Sequence, residues 1–381
     1  SRDPAWAEKI SGVPASQIET LASMIGSTPK TFFRLGYGFT RQRNGAANMH
    51  SALSIAAVAG SWRHGGGGAF HNNGDIYHWD KTLIEGLDYR DPQIRVLDQS
   101  RIGPILTGDR QDLGDGPRVT ALLIQNTNPM SVAPDLNRVH EGFAREDLFV
   151  CVHEQFMTET AQVADIVLPA TMFLEHDDLY QAGGHQHITL GPKIINPPEE
   201  CRSNHEVICA LAKRLDANHA GFDMSPRELI DRTLCDSGWG NLENLEEKRW
   251  IDCQPEFRDA HYLDGFAHAD GRFHFSPDWN ALMPHGFGPS NTVMPTLPDH
   301  WNVIEEANSE MPYRLVTAPA RHYLNSTFTQ APTSKRRQRR PSAMLHPDDA
   351  RDLKIATGDT IRLGNLRGEI QIGAEVIETA Q

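Results

Sequence analysis

The chain has 381 residues, 39% hydrophobic and 23% charged, an ordinary balance for a globular protein of two or three domains. Its 36 Lys+Arg against 50 Asp+Glu leave a net charge of −14, which argues against a general electrostatic grip on nucleic acid or anionic lipid. No apolar run approaches the roughly 20 residues that span a bilayer. The five cysteines (Cys151, Cys201, Cys209, Cys235 and Cys253) are scattered and contain no Cys-x-x-Cys pair. A disulfide framework, a zinc ribbon or an iron–sulfur site within the chain is therefore not expected. The sequence opens at Ser1 without a signal peptide, so a portion of a longer protein is expected. The expected compartment is the cytoplasm, with an export signal upstream of Ser1 as the alternative.

Ser16 reads as an N-cap and Glu19 completes a capping box, ahead of a helical stripe of Ile18, Leu21, Ala22 and Ile25. Residues 30–35 predict a short buried strand ended by Gly36-Tyr37-Gly38, and 46–59 a second helix. That helix leads into Gly65-Gly66-Gly67-Gly68, a mobile or tightly turned loop. Residues 72–117 are weakly patterned and read as irregular. The clearest stretch follows: strand 119–125, loop Asn126-Thr127-Asn128-Pro129, helix 135–144, strand 148–153, helix 158–164 and strand 166–168 closed by Pro169. Continuous apolar strands alternating with helices predict parallel strands buried on both faces, an α/β unit of nucleotide-binding type. Residues 205–215 predict an amphipathic helix, whereas 216–310, rich in Pro, Asp, His and Trp, takes no assignment. A strand is expected at 313–317, and Pro347 opens a helix ending near Leu353. Gly358-Asp359 turns the chain into strands 360–363 and 369–372, a small barrel-like module.

Ligands of a parallel α/β sheet bind outside the carboxyl ends of its strands. One predicted end carries Asn126, Thr127 and Asn128, and another His153 and Glu154. The Glu154 carboxylate can accept from a ribose hydroxyl or the N–H edge of guanine. The amides and hydroxyl of 126–128, with the following helix N-terminus, suit a phosphate or a pterin edge. Each has a plainer reading: Asn-x-Asn-Pro as a turn and Glu154 as a solvated carboxylate. Taken singly, the plainer reading is the better one. No Gly-x-Gly-x-x-Gly follows these strands, so a nicotinamide site is poorly supported. His185-x-His187 and His322 lack a cysteine pair or His-Glu-x-x-His spacing and read as surface or hydrogen-bonded histidines. The basic run 335–340 is a solvated loop or a grip on a diphosphate or partner. Glu175, His176, Asp177 and Asp178 form a loop or an acid–base cluster, and no Ser-His-Asp set can be inferred from spacing.

Together the segments are more specific than each alone. Residues 147–175, DLFVCVHEQFMTETAQVADIVLPATMFLE, contain Thr-Glu-Thr-Ala and Ala-Asp-Ile-Val-Leu-Pro-Ala within 158–170. Beside them stand Asn126-Thr127-Asn128-Pro129, Leu35-Gly36-Tyr37-Gly38 with Asn44-Gly45, and the glycine-rich loop after Trp62. Near the end come Leu324-Asn325-Ser326-Thr327-Phe328 and His346-Pro347-Asp348-Asp349-Ala350. This set closely resembles the molybdopterin oxidoreductases, the DMSO reductase family of sulfoxide reductases, nitrate reductases and formate dehydrogenases. The resemblance covers nearly the whole chain apart from 221–310.

The resemblance implies an α/β fold whose parallel-sheet nucleotide-binding domains are followed by an incomplete double-psi-type β-barrel. The implied division is 1–75, the end of a first α/β cofactor-binding domain; 76–310, a second, dinucleotide-binding one; and 311–381, the start of the barrel. It implies molybdenum, or tungsten, held by two molybdopterin guanine dinucleotides. Implied cofactor contacts are Tyr37, Gly38, Arg41, Asn126 and Asn128, with guanine or ribose contacts at His153 and Glu154 and further candidates at His176 and Asn204. Ala318 to Arg321 and Asn325, Ser326, Thr327 and Phe328 would line the pterin side. The family's 4Fe-4S segment and the region that supplies a protein ligand to the metal are not in this sequence, so no catalytic residue or metal ligand is assigned. The chain thus reads as the interior and C-terminal portion of a catalytic subunit, inactive alone. In the full protein it would serve two-electron or oxygen-atom transfer with a small-molecule substrate and an electron-transfer partner. The rival is a non-catalytic scaffold of the same fold, like the related large subunit of respiratory complex I.

Overall fold

The computed structural model describes residues 2–41, 45–279, 294–300, 307–338 and 340–380. Asn44 of the early match, Arg339 of the basic run and parts of the unassigned stretch lie outside them.

Two helices open the chain. Pro4–Ser11 is capped by Asp3, whose carboxylate accepts from the Trp6 N–H at 2.8 Å. Ala15–Ser27 starts from Pro14, not from a Ser16 cap, and the expected capping box does not form. The reason is local: Pro14, at φ −55°, already stands in helical φ, and its carbonyl accepts from the N–H groups of Gln17 and Ile18.

Strand β1 (Phe32–Arg34) pairs in parallel with β2 (Gly68–Phe70), in register from Phe32↔Gly68 to Arg34↔Phe70. The pair is not buried as expected, since Phe32 is 52% exposed. The glycine-rich loop is the tightly turned kind: a Cβ on Gly67 would sit 2.2 Å from the Ser61 carbonyl oxygen, and Gly68, at φ 110°, lies against the Trp62 indole. Only glycine lets the backbone enter β2 this closely. The helix Gly45–Val58 lies where the sequence predicts one.

Strands β3 (Ala121–Gln125), β4 (Phe149–Glu154) and β5 (Ile166–Pro169) form the parallel sheet, with β4 central. Its core joins Leu106, Ile124, Val139, Phe143, Leu148, Val150, Val152 and Ala161. Burial on both faces, the expectation from the apolar runs, is not what this chain shows: Leu123, Phe149 and Ile166, on the face opposite the core, are exposed. Helices cover one face. One of them, Ile102–Thr107, lies in the stretch expected to be irregular, and it packs on the helix Leu136–Phe143. Two glycines permit this approach: a Cβ on Gly103 would lie 2.8 Å from the Val139 nitrogen, and one on Gly142 2.6 Å from Leu106 Cβ.

A second sheet, absent from the sequence reading, is antiparallel: β6 (Asp178–Tyr180), β7 (His187–Gly191) and β8 (Trp250–Asp252), with β7 central. Tyr77, Ile188, Ile230, Leu234, Leu242, Leu245 and Cys253 form its core. The helices Pro226–Asp236 and Leu242–Lys248 that supply four of these begin from a Ser225/Glu228 capping box and an Asn241 cap.

At the end of the chain stand β9 (Ser342–Leu345), the helix Pro347–Leu353, β10 (Thr360–Asn365) and β11 (Gly368–Val376). β11 pairs antiparallel with β10 and parallel with β9. Among the described residues this is an open three-stranded sheet, and no closed barrel is present. Closure would need a partner on the free edges of β9 and β10. The strand expected at 313–317 does not form; that segment runs irregular and exposed. The module meets the parallel-sheet unit where Asn137 Nδ2 donates to the Arg367 carbonyl at 2.8 Å. No described helix is long and apolar enough to cross a membrane.

Replacing Gly142 with alanine should force the two helices apart. The expected loss is about 1–3 kcal/mol of stability, read as a lowered thermal midpoint; an unchanged midpoint would refute the close-packing account.

Candidate cofactor-binding site

Three groups of side chains lie where the sequence placed candidates. The first sits beyond the carboxyl ends of β1 and β2. Tyr37 and Gly38 begin the short helix Tyr37–Thr40, and Arg41 follows it. The Arg41 guanidinium lies 5.8 Å over the Tyr37 ring, a cation–π distance. The Tyr37 hydroxyl accepts from Asn72 Nδ2 at 3.2 Å, and its ring meets that of His71 edge-on at 4.7 Å. Arg34 clamps the strand ends, donating to the His71 carbonyl at 2.7 Å, to that of Phe70 and to that of Leu35. His71 and Asn72 escaped the sequence reading because β2 itself did. Their signal was present as a polar His-Asn-Asn run directly after Gly-Ala-Phe.

The second group stands at the carboxyl edge of the parallel sheet. Asn126 takes a left-handed φ of 55°, which asparagine tolerates, and turns the chain out of β3. Asn128 points inward: its Nδ2 donates to Glu159 Oε2 at 2.7 Å, while Oδ1 accepts from the Thr160 N–H at 3.1 Å and its hydroxyl at 2.7 Å. The bond from Asn128 holds the Glu159 carboxyl below its usual range. His153 is fully buried, with Nδ1 facing the Gln125 amide at 3.2 Å and Nε2 the Arg202 carbonyl at 3.0 Å. The amide donates and the carbonyl accepts, so the proton is assigned to Nε2. Both ring nitrogens are thus engaged within the protein.

Glu154 ends β4 half-buried, with Oε1 accepting from the Gln155 N–H at 2.7 Å. A bridge between Ala170 and Arg202 extends the sheet beyond β5 and brings the start of the helix Asn204–Arg214 alongside. Asn204 is exposed there. His176 Nδ1 lies 2.7 Å from the Thr171 hydroxyl, and Gln155 Nε2 donates to the Thr171 carbonyl at 2.8 Å. Asn126, Asn128, His153, Glu154, His176 and Asn204 therefore share one edge. Gln125, Thr160, Thr171 and Arg202, which hold them there, were missed because their roles arise only across strands.

The third group is a separate segment beside the helix Pro332–Arg337. Ala318 and Arg321 are exposed in irregular chain. Leu324 and Thr327 exchange both backbone hydrogen bonds around Asn325 (φ 52°) and Ser326, and Phe328 stands at φ 70°. The tight turn presents Asn325, Thr327 and Phe328 outward.

The polar groups suit a phosphate-bearing dinucleotide: a cation and N–H donors for phosphate in the first group, a carboxylate acceptor for base or ribose in the second, a polar turn in the third. Among the described residues no three or more His, Cys, Asp or Glu side chains gather as a metal site. Burial pushes the thiols of Cys151, Cys209 and Cys253 up, away from the thiolate a metal would need.

Comparison with known proteins matches the sequence to a family. The profile described as molybdopterin oxidoreductase matches residues 13–214, and that of the molydopterin dinucleotide binding domain matches 313–381. The chain belongs to the molybdopterin oxidoreductase family. It is 30% identical to the probable oxidoreductase YoaE of Bacillus subtilis, over 99% of this chain and 53% of that protein. It is 26% identical to a trimethylamine-N-oxide reductase of Haemophilus influenzae (98% and 50% covered) and 26% identical to a biotin sulfoxide reductase of Cereibacter sphaeroides (99% and 54%). The chain thus spans about half the length of the curated relatives it matches. In fold it is similar to acetylene hydratase from Pelobacter acetylenicus, with a TM-score of 0.56 at 20% identity, over 72% of this chain and 38% of that one.

Asn128→Ala should cost about 1–3 kcal/mol, because the buried Thr160 N–H and hydroxyl lose their acceptor. It should also alter the acid limb of stability. A depressed folded pKa stabilises at neutral pH and is lost as pH falls through it, so without Asn128 the Glu159 share of acid sensitivity should shrink. Thermal melts of both proteins from neutral to acid pH check the pair of effects.

Proposed function

We propose that this chain forms the cofactor-holding portion of a molybdenum or tungsten oxidoreductase that binds two molybdopterin guanine dinucleotides. One observation carries the reading: every residue of the three groups falls inside the two family-matched segments, and two of the groups stand at the carboxyl ends of parallel strands. When bound, the cofactor supplies a metal centre for two-electron or oxygen-atom transfer, and the protein supplies binding and orientation.

In this reading Tyr37, Gly38 and Arg41, with Asn126, form the polar walls for phosphate and pterin. Asn128 acts by shaping its loop. Glu154 accepts from a guanine N–H or ribose hydroxyl, and His153, locked beneath it, fixes where that carboxylate stands. His176 and Asn204 flank the same edge. Ala318, Arg321, Asn325, Ser326, Thr327 and Phe328 face the pterin side from the C-terminal module. In this reading the chain divides at 1–75, 76–310 and 311–381; the first holds the β1–β2 pair, the second both the parallel and the antiparallel sheet, and the third the β9–β11 sheet. Substrate turnover, an electron-transfer partner and a 4Fe-4S cluster belong, on this proposal, to the whole protein. The names of the matched relatives, oxidoreductases and reductases, support an enzyme over a non-catalytic scaffold.

The test is elemental and nucleotide analysis of protein made in a cofactor-competent host. The expected result is molybdenum or tungsten with about two GMP released per metal on acid hydrolysis. Protein free of both would overturn the proposal. In the Glu154→Ala variant cofactor occupancy should fall roughly tenfold, the worth of one lost charge-assisted bond, with the circular-dichroism spectrum unchanged.

A further inference from the structure

His71 carries an unexplained N–H. Its Nδ1 lies 3.1 Å from Asn72 Nδ2, an amide nitrogen that can only donate, so Nδ1 accepts and the ring proton is on Nε2. That Nε2 is closed to solvent and has no hydrogen-bond partner. A donor shut from water without an acceptor works against folding, and such groups in native structures call for an explanation. The surroundings supply one. The imidazole packs edge-on against Tyr37, whose ring is 53% exposed and so bounded by solvent on its far side. Arg41 brings a guanidinium over the same Tyr37 ring, and the Tyr37 hydroxyl, accepting from Asn72, keeps its own proton to give. Arg34, through its bond to the His71 carbonyl, fixes the backbone that carries the imidazole. A cation, an N–H and an O–H thus gather at one strand end of a chain whose net charge is −14. In that repelling field an anion is held only by specific donors.

We infer that His71 is a ligand-contacting residue, whose Nε2–H donates to a phosphate oxygen of the bound dinucleotide once the Tyr37 ring moves off it. The inference rests on the cofactor reading above and adds a residue that no motif assigned, with Tyr37 as its cover and Arg41 as the neighbouring charge.

The experiment compares holoprotein from wild type, His71→Leu, which keeps bulk but no donor, and His71→Gln, whose amide can replace the Nε2–H. GMP content and the rate of cofactor release on dilution are the readouts, with thermal melting as the control for folding. His71→Leu should release cofactor about tenfold faster, and His71→Gln should stay close to wild type. Release from His71→Leu equal to wild type, or a His71→Gln variant as leaky as His71→Leu with unchanged melting, would overturn the assignment. Should wild type carry no nucleotide, the cofactor reading falls instead. The ¹⁵N shift of His71 Nε2 on titrating inorganic pyrophosphate into the wild-type chain then decides: movement supports the anion contact, and none rejects it.

Discussion

A buried imidazole holds the carboxyl edge of the parallel sheet together. His153 sits on the central strand, takes a hydrogen bond from Gln125 on one side and gives one to the Arg202 carbonyl on the other. Because parallel strands end together, whatever ties neighbouring strand ends also aligns the loops that leave them. Asn126 and Glu154 directly follow, and Asn204 closely follows, the residues that this bolt joins. An apolar residue in its place would fill the space but leave the Gln125 amide and the Arg202 carbonyl without their partner.

The same logic runs through the loops. Asn128 satisfies Thr160 and Glu159, and Thr160 in turn accepts from the Met130 N–H at 3.1 Å. A loop whose inward polar groups are all engaged is stiff, and its remaining backbone groups point outward in fixed directions. At the edge of β1 and β2 Arg34 clamps the backbone, but among the described residues the side chains are less fully engaged: Tyr37 is exposed and His71 keeps an unsatisfied nitrogen. One edge has its inward polar groups fully paired and the other keeps a polar atom for a ligand. That division suits a large ligand, which is seated on preorganised loops at one end and completes an unpaired donor at the other.

Legibility in the sequence followed how local each cause is. The Pro347 helix and the strands around residues 121–125, 149–154 and 166–169 were readable because proline geometry and apolar runs act within a few residues. The Ser16 cap failed for an equally local reason, Pro14 having claimed the helix start. The antiparallel sheet was invisible: its strands are short, and 58 residues (192–249) lie between the end of β7 at Gly191 and the start of β8 at Trp250. The strand expected at 313–317 shows the converse, since an apolar stretch becomes a strand only where another backbone offers it a ladder.

By itself the sequence determined the family resemblance, the parallel α/β character of the middle of the chain, and most candidate residues by type. These follow from side-chain chemistry and short-range periodicity, which are properties of the residues in order. Tertiary structure alone decided that His153 and Asn128 face inward as fasteners, that Thr171 and Arg202 join the edge where Glu154 stands, and that His71 and Asn72 join Tyr37. Those outcomes depend on which backbones pair and how closely they approach, and a hydrogen bond between residues such as His153 and Arg202, 49 positions apart, leaves no mark in the order of the residues between them.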